Sequence, residues 1–215
     1  MWAVAPSTVG LRPRLRAVER RAALGGIVGP IGFIVAWALA GALLSDYSSS
    51  HDAISRLAAV HAPTRAAMSG GFVVFAVGVT LYACALRAAV PGWAWLSAFM
   101  SGLATLGVAL VPLGQSPSLD AVHGVFAGIG YVALAATPLL AALPLRGAGR
   151  IGWARASVLI SVTSGICLAF TTVGSLHGLF QRLGLTISDA WIIATAIRIN
   201  RGDLLSAFAS PASDP

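Results

Sequence analysis

Long apolar runs alternate with short polar connections along this chain, and the alternation is regular enough to define its elements. Six runs, at about 24–45, 66–86, 93–113, 120–143, 155–174 and 179–199, each hold some 20 residues. A helix rises 1.5 Å per residue, so roughly 20 residues match the ~30 Å hydrocarbon core of a bilayer. The pattern predicts an all-α fold, a bundle of six transmembrane helices. Between the first two runs, Ser45 to Arg65 has its own signature. Ser49 and Asp52 stand at capping-box spacing, and Pro63 closes the stretch. Ile54, Leu57 and Ala58 share one face, while His51 with Ser55 and Asp52 with Arg56 stand at i, i+4 on the other. This predicts a short interfacial helix after the first span.

The domain division follows: a basic segment at 1–22, a six-helix membrane domain at 23–201, and a polar, aperiodic tail at 202–215 that reads as disordered. The connections alternate between arginine-rich and histidine- or aspartate-bearing. Arg12, Arg14, Arg16, Arg20, Arg21, Arg87, Arg146, Arg150, Arg155, Arg198 and Arg201 fall on one side, and only Arg56, Arg65 and Arg182 on the other. The positive-inside rule makes the first side cytoplasmic, with both termini there. All four histidines, His51, His61, His123 and His177, then face outward.

Composition narrows the class further. With 57% hydrophobic and 10% charged residues among 215, and a mean hydropathy of +0.85, too little polar surface exists for a soluble domain. The net charge of +7 is carried by arginine alone. No basic surface with aromatic or helix-in-groove partners lies outside the runs, which excludes nucleic-acid binding. Cys84 and Cys167 lack metal-type spacing and read as packing residues. The first run is long enough to span and reads as an uncleaved helix. Trp93, Trp95 and Trp153 sit where indoles anchor helix depth. Gly25 with Gly29, and Gly124 with Gly128, form small-residue stripes that permit close helix approach. Pro30 and Pro138 fall inside runs, where they are positioned to kink helices.

The candidate chemistry lies on the outer side. Asp120 and His123 stand at i, i+3, a spacing that lets a carboxylate orient an imidazole or lets both reach one cation. Ser116 and Pro117 open that helix, so Asp120 also fits a first-turn acid. His177 closes the fifth run, and Gln181 and Arg182 begin the sixth. Asp189 lies two turns deeper on roughly the face of Arg182. An acid at that depth costs a few kcal/mol unless paired or in a wet cavity. Arg182 or His123 would be its partner.

Three stretches stand out together: Tyr47, His51, Ile54, Ser55, Leu57 and Pro63; Asp120, His123, Gly124 and Ala127; and Gly178, Leu179, Gln181, Arg182 with Trp191. In order and spacing they resemble the bacterial membrane-protein family catalogued as domain of unknown function 998, over about Gly25 to Arg201. The resemblance implies a six-helix membrane protein with recurrent polar residues at His51, Ser55, Asp120, His123, Gln181 and Arg182. Arg56 and Ala58 depart from the family's pattern, which commonly has an acid or polar residue and a glycine there. The family brings no established activity. A looser similarity of ingredients links the chain to membrane hydrolases of the alkaline ceramidase type, which gather Ser, Asp and three His around zinc. Six spans in place of seven, and no paired histidines in the last helix, count against that similarity.

Three functional readings follow. The leading one is a binding or accessory protein, without a cofactor, whose outward polar pocket holds a lipid headgroup, small solute or partner protein through Arg182, Gln181 and Asp120. Membrane lipids and a protein partner or second copy are the implied partners. The second is a metal-dependent lipid hydrolase, zinc being the usual metal for such a set, with His51, His123 and His177 as ligands, Asp120 as a ligand or general base, and Ser55 orienting water. The third is transport, with Asp189 and His123 as a proton relay. Across these readings the pocket comprises His51, Asp52, Ser55, Asp120, His123, His177, Gln181, Arg182 and Asp189.

Overall fold

The computed structural model describes residues 17–204 and Phe208; Arg12, Arg14, Arg16 and most of the 202–215 tail lie outside the described residues. Six α-helices follow in chain order: α1 (Ala17–Leu43), α2 (Arg65–Ala89), α3 (Ala94–Leu110), α4 (Pro117–Gly147), α5 (Ile151–Phe170) and α6 (His177–Arg201). Each coincides with one apolar run to within a few residues at most boundaries. No strand occurs among the described residues. Local signals explain several ends. Ser116 Oγ accepts the Leu119 N–H at 3.3 Å, and Pro117 occupies the first turn of α4, where its missing N–H costs nothing. Pro30 and Pro138 both lie within continuous helices.

Consecutive helices pack as neighbours and α6 returns to α1, which closes the bundle into a ring. At the α1–α2 contact, glycines replace side chains with backbone. A Cβ on Gly25 would stand 2.3 Å from the Gly78 carbonyl oxygen, and one on Gly29 3.2 Å from Gly78 Cα. The first small-residue stripe therefore serves packing within the chain. The second does not: Gly124 and Gly128 have nothing within 4 Å of their Cβ positions.

Helices α1, α2, α4 and α5 are long and apolar enough to cross a membrane, and α3 is an apolar helix of 17 residues. Helix α6 differs because its inward face is polar. Gln181, Arg182, Ser188, Asp189 and Thr195 are all buried, along with Leu185, Trp191, Ile192 and Ile199. Helix α5 matches it with Ser157, Ser161 and Ser164. Ser164 Oγ donates to the Gly184 carbonyl at 2.7 Å and accepts from Ser188 Oγ at 2.8 Å, while Trp191 Nε1 donates to Ser157 Oγ at 2.8 Å. Such hydroxyl contacts hold helices together where lipid supplies no hydrophobic drive between them.

Two expectations change. The interfacial helix is instead a buried 3-10 turn, Ile54–Ala58, packed against α1, α2 and α6. Its capping side chain is missing, since the residue before it is Ala53. Ile54, Leu57 and Ala58 are each under 5% exposed. An amphipathic face needs an apolar surface to cover, and the ring supplied one where the sequence pattern suggested lipid. The packed region also continues past Arg201: Leu204 is buried, and Phe208 packs on the core.

Candidate functional site

The 47–58 loop is held down by the first two turns of α6. Arg182 reaches across it, its guanidinium donating to the Ser49 carbonyl at 2.7 Å, the Asp52 carbonyl at 3.0 Å and, within α6, the Gly178 carbonyl at 2.9 Å. It also donates to the Tyr47 hydroxyl. The Trp37 and Tyr47 rings lie 5.2 and 5.5 Å from the guanidinium carbon, within cation–π range. Burial pushes the Tyr47 phenol up, against the opposing pull of Arg182. The Leu179 N–H donates to the Ser50 carbonyl at 2.9 Å, and Gln181 Oε1 accepts the Ile54 N–H at 2.8 Å. Gly178 permits this approach, because a Cβ there would stand 2.5 Å from the Asp52 carbonyl oxygen. An irregular loop leaves carbonyls that a helix would satisfy itself, and here a planar fork of donors satisfies them.

Beneath the loop lies a cavity of ≈ 50 Å³, walled by α1, α2, α3, α4 and α6. Ser55, His123, Tyr131 and Gln181 give it polar groups; Phe33, Phe72, Phe75 and Phe126 give it aromatic walls. Gln181 Nε2 donates to the Tyr131 hydroxyl and so joins loop, α6 and α4. His123 is 4% exposed, with Nδ1 2.6 Å from the Val111 carbonyl oxygen. A carbonyl only accepts, so Nδ1 carries the proton and Nε2 of the neutral ring is an acceptor. That Nε2 is buried and has no hydrogen-bond partner among the described residues. A main-chain carbonyl that fixes the tautomer and leaves the far nitrogen open is how proteins present an imidazole to a ligand.

The remaining predicted residues are dispersed. His51 is exposed, with Nδ1 3.0 Å from Ser48 Oγ and 2.9 Å from Ser50 Oγ, and its expected i, i+4 partner Ser55 turns to the cavity. Asp52 and Arg56 do pair, at 2.6 Å, and Asp52 Oδ2 also accepts the Ser48 N–H at 2.7 Å. Burial raises the Asp52 pKa, but the Ser48 hydrogen bond and the Arg56 charge outweigh it and hold the carboxyl below its usual range. Asp120 does not orient His123; it accepts the Gly114 N–H at 2.9 Å, so both side chains tie down the α3–α4 connection separately. His177 opens α6 and does not close α5. Asp189 is fully buried, and neither of its oxygens has a hydrogen-bond partner among the described residues. Arg182, its expected partner, turns its terminal nitrogens to the loop. Among the described residues no group of three or more His, Cys, Asp or Glu gathers as a metal site, so the zinc set of His51, His123, His177 and Asp120 is not brought together.

Sequence reasoning passed over Tyr131 and Trp37. Tyr131 had a readable signal: His123, Ala127 and Tyr131 recur every fourth residue, and all three line the cavity. Trp37 had none, since its stacking on Arg182 joins α1 to α6.

An all-helical, membrane-type bundle with a clamped loop over a mixed polar and aromatic cavity is the class these features define. The family described as "Protein of unknown function (DUF998)" matches residues 27–198, and the chain belongs to it. No curated protein and no solved structure matches the chain. The stretches that carried the resemblance largely form a single structural unit: Tyr47, Ile54, Gly178, Gln181 and Arg182 all belong to the clamp, and Ser55 and His123 to the cavity below it.

Proposed function

We propose that this chain is a six-span protein of the bacterial inner membrane, with both termini cytoplasmic, whose cavity binds a small amphipathic molecule. The arginine distribution supports the orientation. Helix α6, 25 residues and about 38 Å long, has the length to span, and its polar residues turn inward to neighbours. Helix α3, at about 26 Å, is the shortest of the six and falls a little under the ~30 Å hydrocarbon thickness. The observation that carries the binding reading is His123 Nε2, a buried acceptor of set tautomer lining an aromatic cavity. The cavity's ≈ 50 Å³ limits the ligand to a few heavy atoms, so the class is a hydroxyl or N–H donor on a very small apolar body, as in a short-chain alcohol.

Ethanol titrated against the full chain in nanodiscs tests this, read by the NMR signals of the Phe126 and Tyr131 rings. The shifts should saturate, with an apparent affinity weaker by roughly fivefold in His123→Leu, as expected for one hydrogen bond of about 1 kcal/mol. Equal affinity in the variant would sink the reading.

A second reading, proton-coupled transport, draws on Asp189, which lies one helical turn beyond the cavity residue Leu185. An intramembrane carboxyl of this kind is a site candidate on energetic grounds. Solute uptake into proteoliposomes driven by a pH gradient should be lost in Asp189→Asn; uptake that persists removes it.

A further inference from the structure

At the opposite end of the bundle a second hollow opens between α4 and α5, beside the α2–α3 connection. It measures ≈ 1080 Å³, above the roughly 300–1,000 Å³ of ordinary small-molecule sites. Its walls are apolar, including Leu140, Leu143, Val158 and Leu159, and its rim carries Arg146, Arg155 and Trp93. The arginines at this end are not equivalent. Arg87 stacks on Trp95 at 4.7 Å, Arg198 on Trp153 at 4.6 Å, and Arg150 donates to the Asp203 carbonyl at 3.3 Å. Arg146 and Arg155, the two that line the groove, are exposed, and their guanidiniums have no hydrogen-bond or ion-pair partner among the described residues. Trp93 is 67% exposed, as an indole at headgroup depth would be.

We propose that this groove is a binding site for one anionic phospholipid of the surrounding leaflet, with its phosphate between Arg146 and Arg155 and an acyl chain along α4 and α5. Charge complementarity chooses the occupant. Two unpaired guanidiniums above an apolar trough match a phosphodiester on a hydrocarbon tail, and a zwitterionic lipid would bring a cationic group toward the same two charges. A soluble anion would use the rim and leave the trough uncovered. The site depends on the chain's lying in a membrane and is independent of the His123 cavity.

Native mass spectrometry of the full chain in nonionic detergent, titrated with phosphatidylglycerol or phosphatidylcholine, tests the proposal. One lipid should be retained, with phosphatidylglycerol favoured about 30-fold, near fivefold for each arginine. Arg146→Gln with Arg155→Gln should bring the two lipids close to parity. Arg21→Gln with Arg201→Gln, which removes two charges from the same end outside the groove, should leave the preference intact. Val158→Trp, which sets an indole across the trough below the rim, should weaken retention of the lipid while helicity by circular dichroism is unchanged. Parity in the unmodified protein, an equal loss of preference in the Arg21 and Arg201 pair, or full retention in Val158→Trp would each overturn it.

Discussion

Arginine does opposite things at the two ends of this bundle. Arg182 is 7% exposed, and its two terminal nitrogens donate to the Ser49, Asp52 and Gly178 carbonyls and the Tyr47 hydroxyl, while its Nε has no partner among the described residues. Arg146 and Arg155 are exposed and have no such partners among the described residues. The difference comes from the connections beside them. The α4–α5 turn satisfies its own backbone: Ala148 N–H donates to Pro144 at 3.0 Å, Gly149 to Arg146 at 3.0 Å, and Arg150 to Leu145 at 2.9 Å. Nothing there needs a guanidinium. The 47–58 loop has only a short 3-10 turn and leaves carbonyls that must find donors before they can be buried. One end of the molecule therefore uses a buried arginine to hold a loop, and the other leaves the side chains of Arg146 and Arg155 without such a task.

The largest effect that contrast predicts is for Arg182→Gln. Several buried acceptors would lose a charged donor, and stability should fall by about 3 kcal/mol or more. Thermal unfolding in detergent measures the loss, and hydrogen exchange at the Ile54 and Leu179 amides should accelerate with it. An unchanged midpoint would mean that the loop does not depend on the clamp. Gly178→Ala strikes the same interface by steric means. Its Cβ would meet the Asp52 carbonyl, so a loss of about 1–3 kcal/mol is expected, together with faster proteolysis between Tyr47 and Ala58. At the other end, Arg146→Gln should stay within about 0.5 kcal/mol of the unmodified protein in the same assay. A larger loss would erase the distinction between the ends.

The smallest effect concerns pH. The Asp52 carboxyl is held below its ordinary range in the folded chain, so the unfolded chain binds the proton more readily. Its contribution to stability is thus present at pH values above about 4 and disappears as pH falls through the lower folded value. Arg56 is exposed, and solvent and salt screen the pair, so the contribution is minor. Asp52→Asn should flatten the acid limb of the stability profile. A limb of the same steepness would place the titration elsewhere.

How legible this was in the sequence varied with the range of the interaction. Six helices could be read because an apolar run of that length is a local signal, and the Asp52–Arg56 pair because i, i+4 spacing brings those side chains together. Helix α6 was also legible as an element, although its inward polar face lowers its hydropathy below that of α1, α2, α4 and α5. The turn at Ile54–Ala58 was harder. Its pattern of Ile54, Leu57 and Ala58 says that one face is covered, and the same pattern serves a helix on lipid and a plug between helices. The Asp120–His123 spacing suggested a pair, yet each side chain bonds to the α3–α4 connection instead. Spacing within a helix sets what two side chains are able to reach, and competing partners outside the helix decide what they touch.

Hydropathy and charge act over single segments, so the order of residues was enough to define the class of molecule, the helix count and the sorting of arginines from histidines. It took the packing of distant segments to assign Arg182 to the loop and not to Asp189, to offer His123 Nε2 to a cavity, and to leave two arginines unpaired above an apolar groove. Those outcomes depend on which groups meet in space, and a buried polar group takes whichever partner the fold brings within about 3 Å.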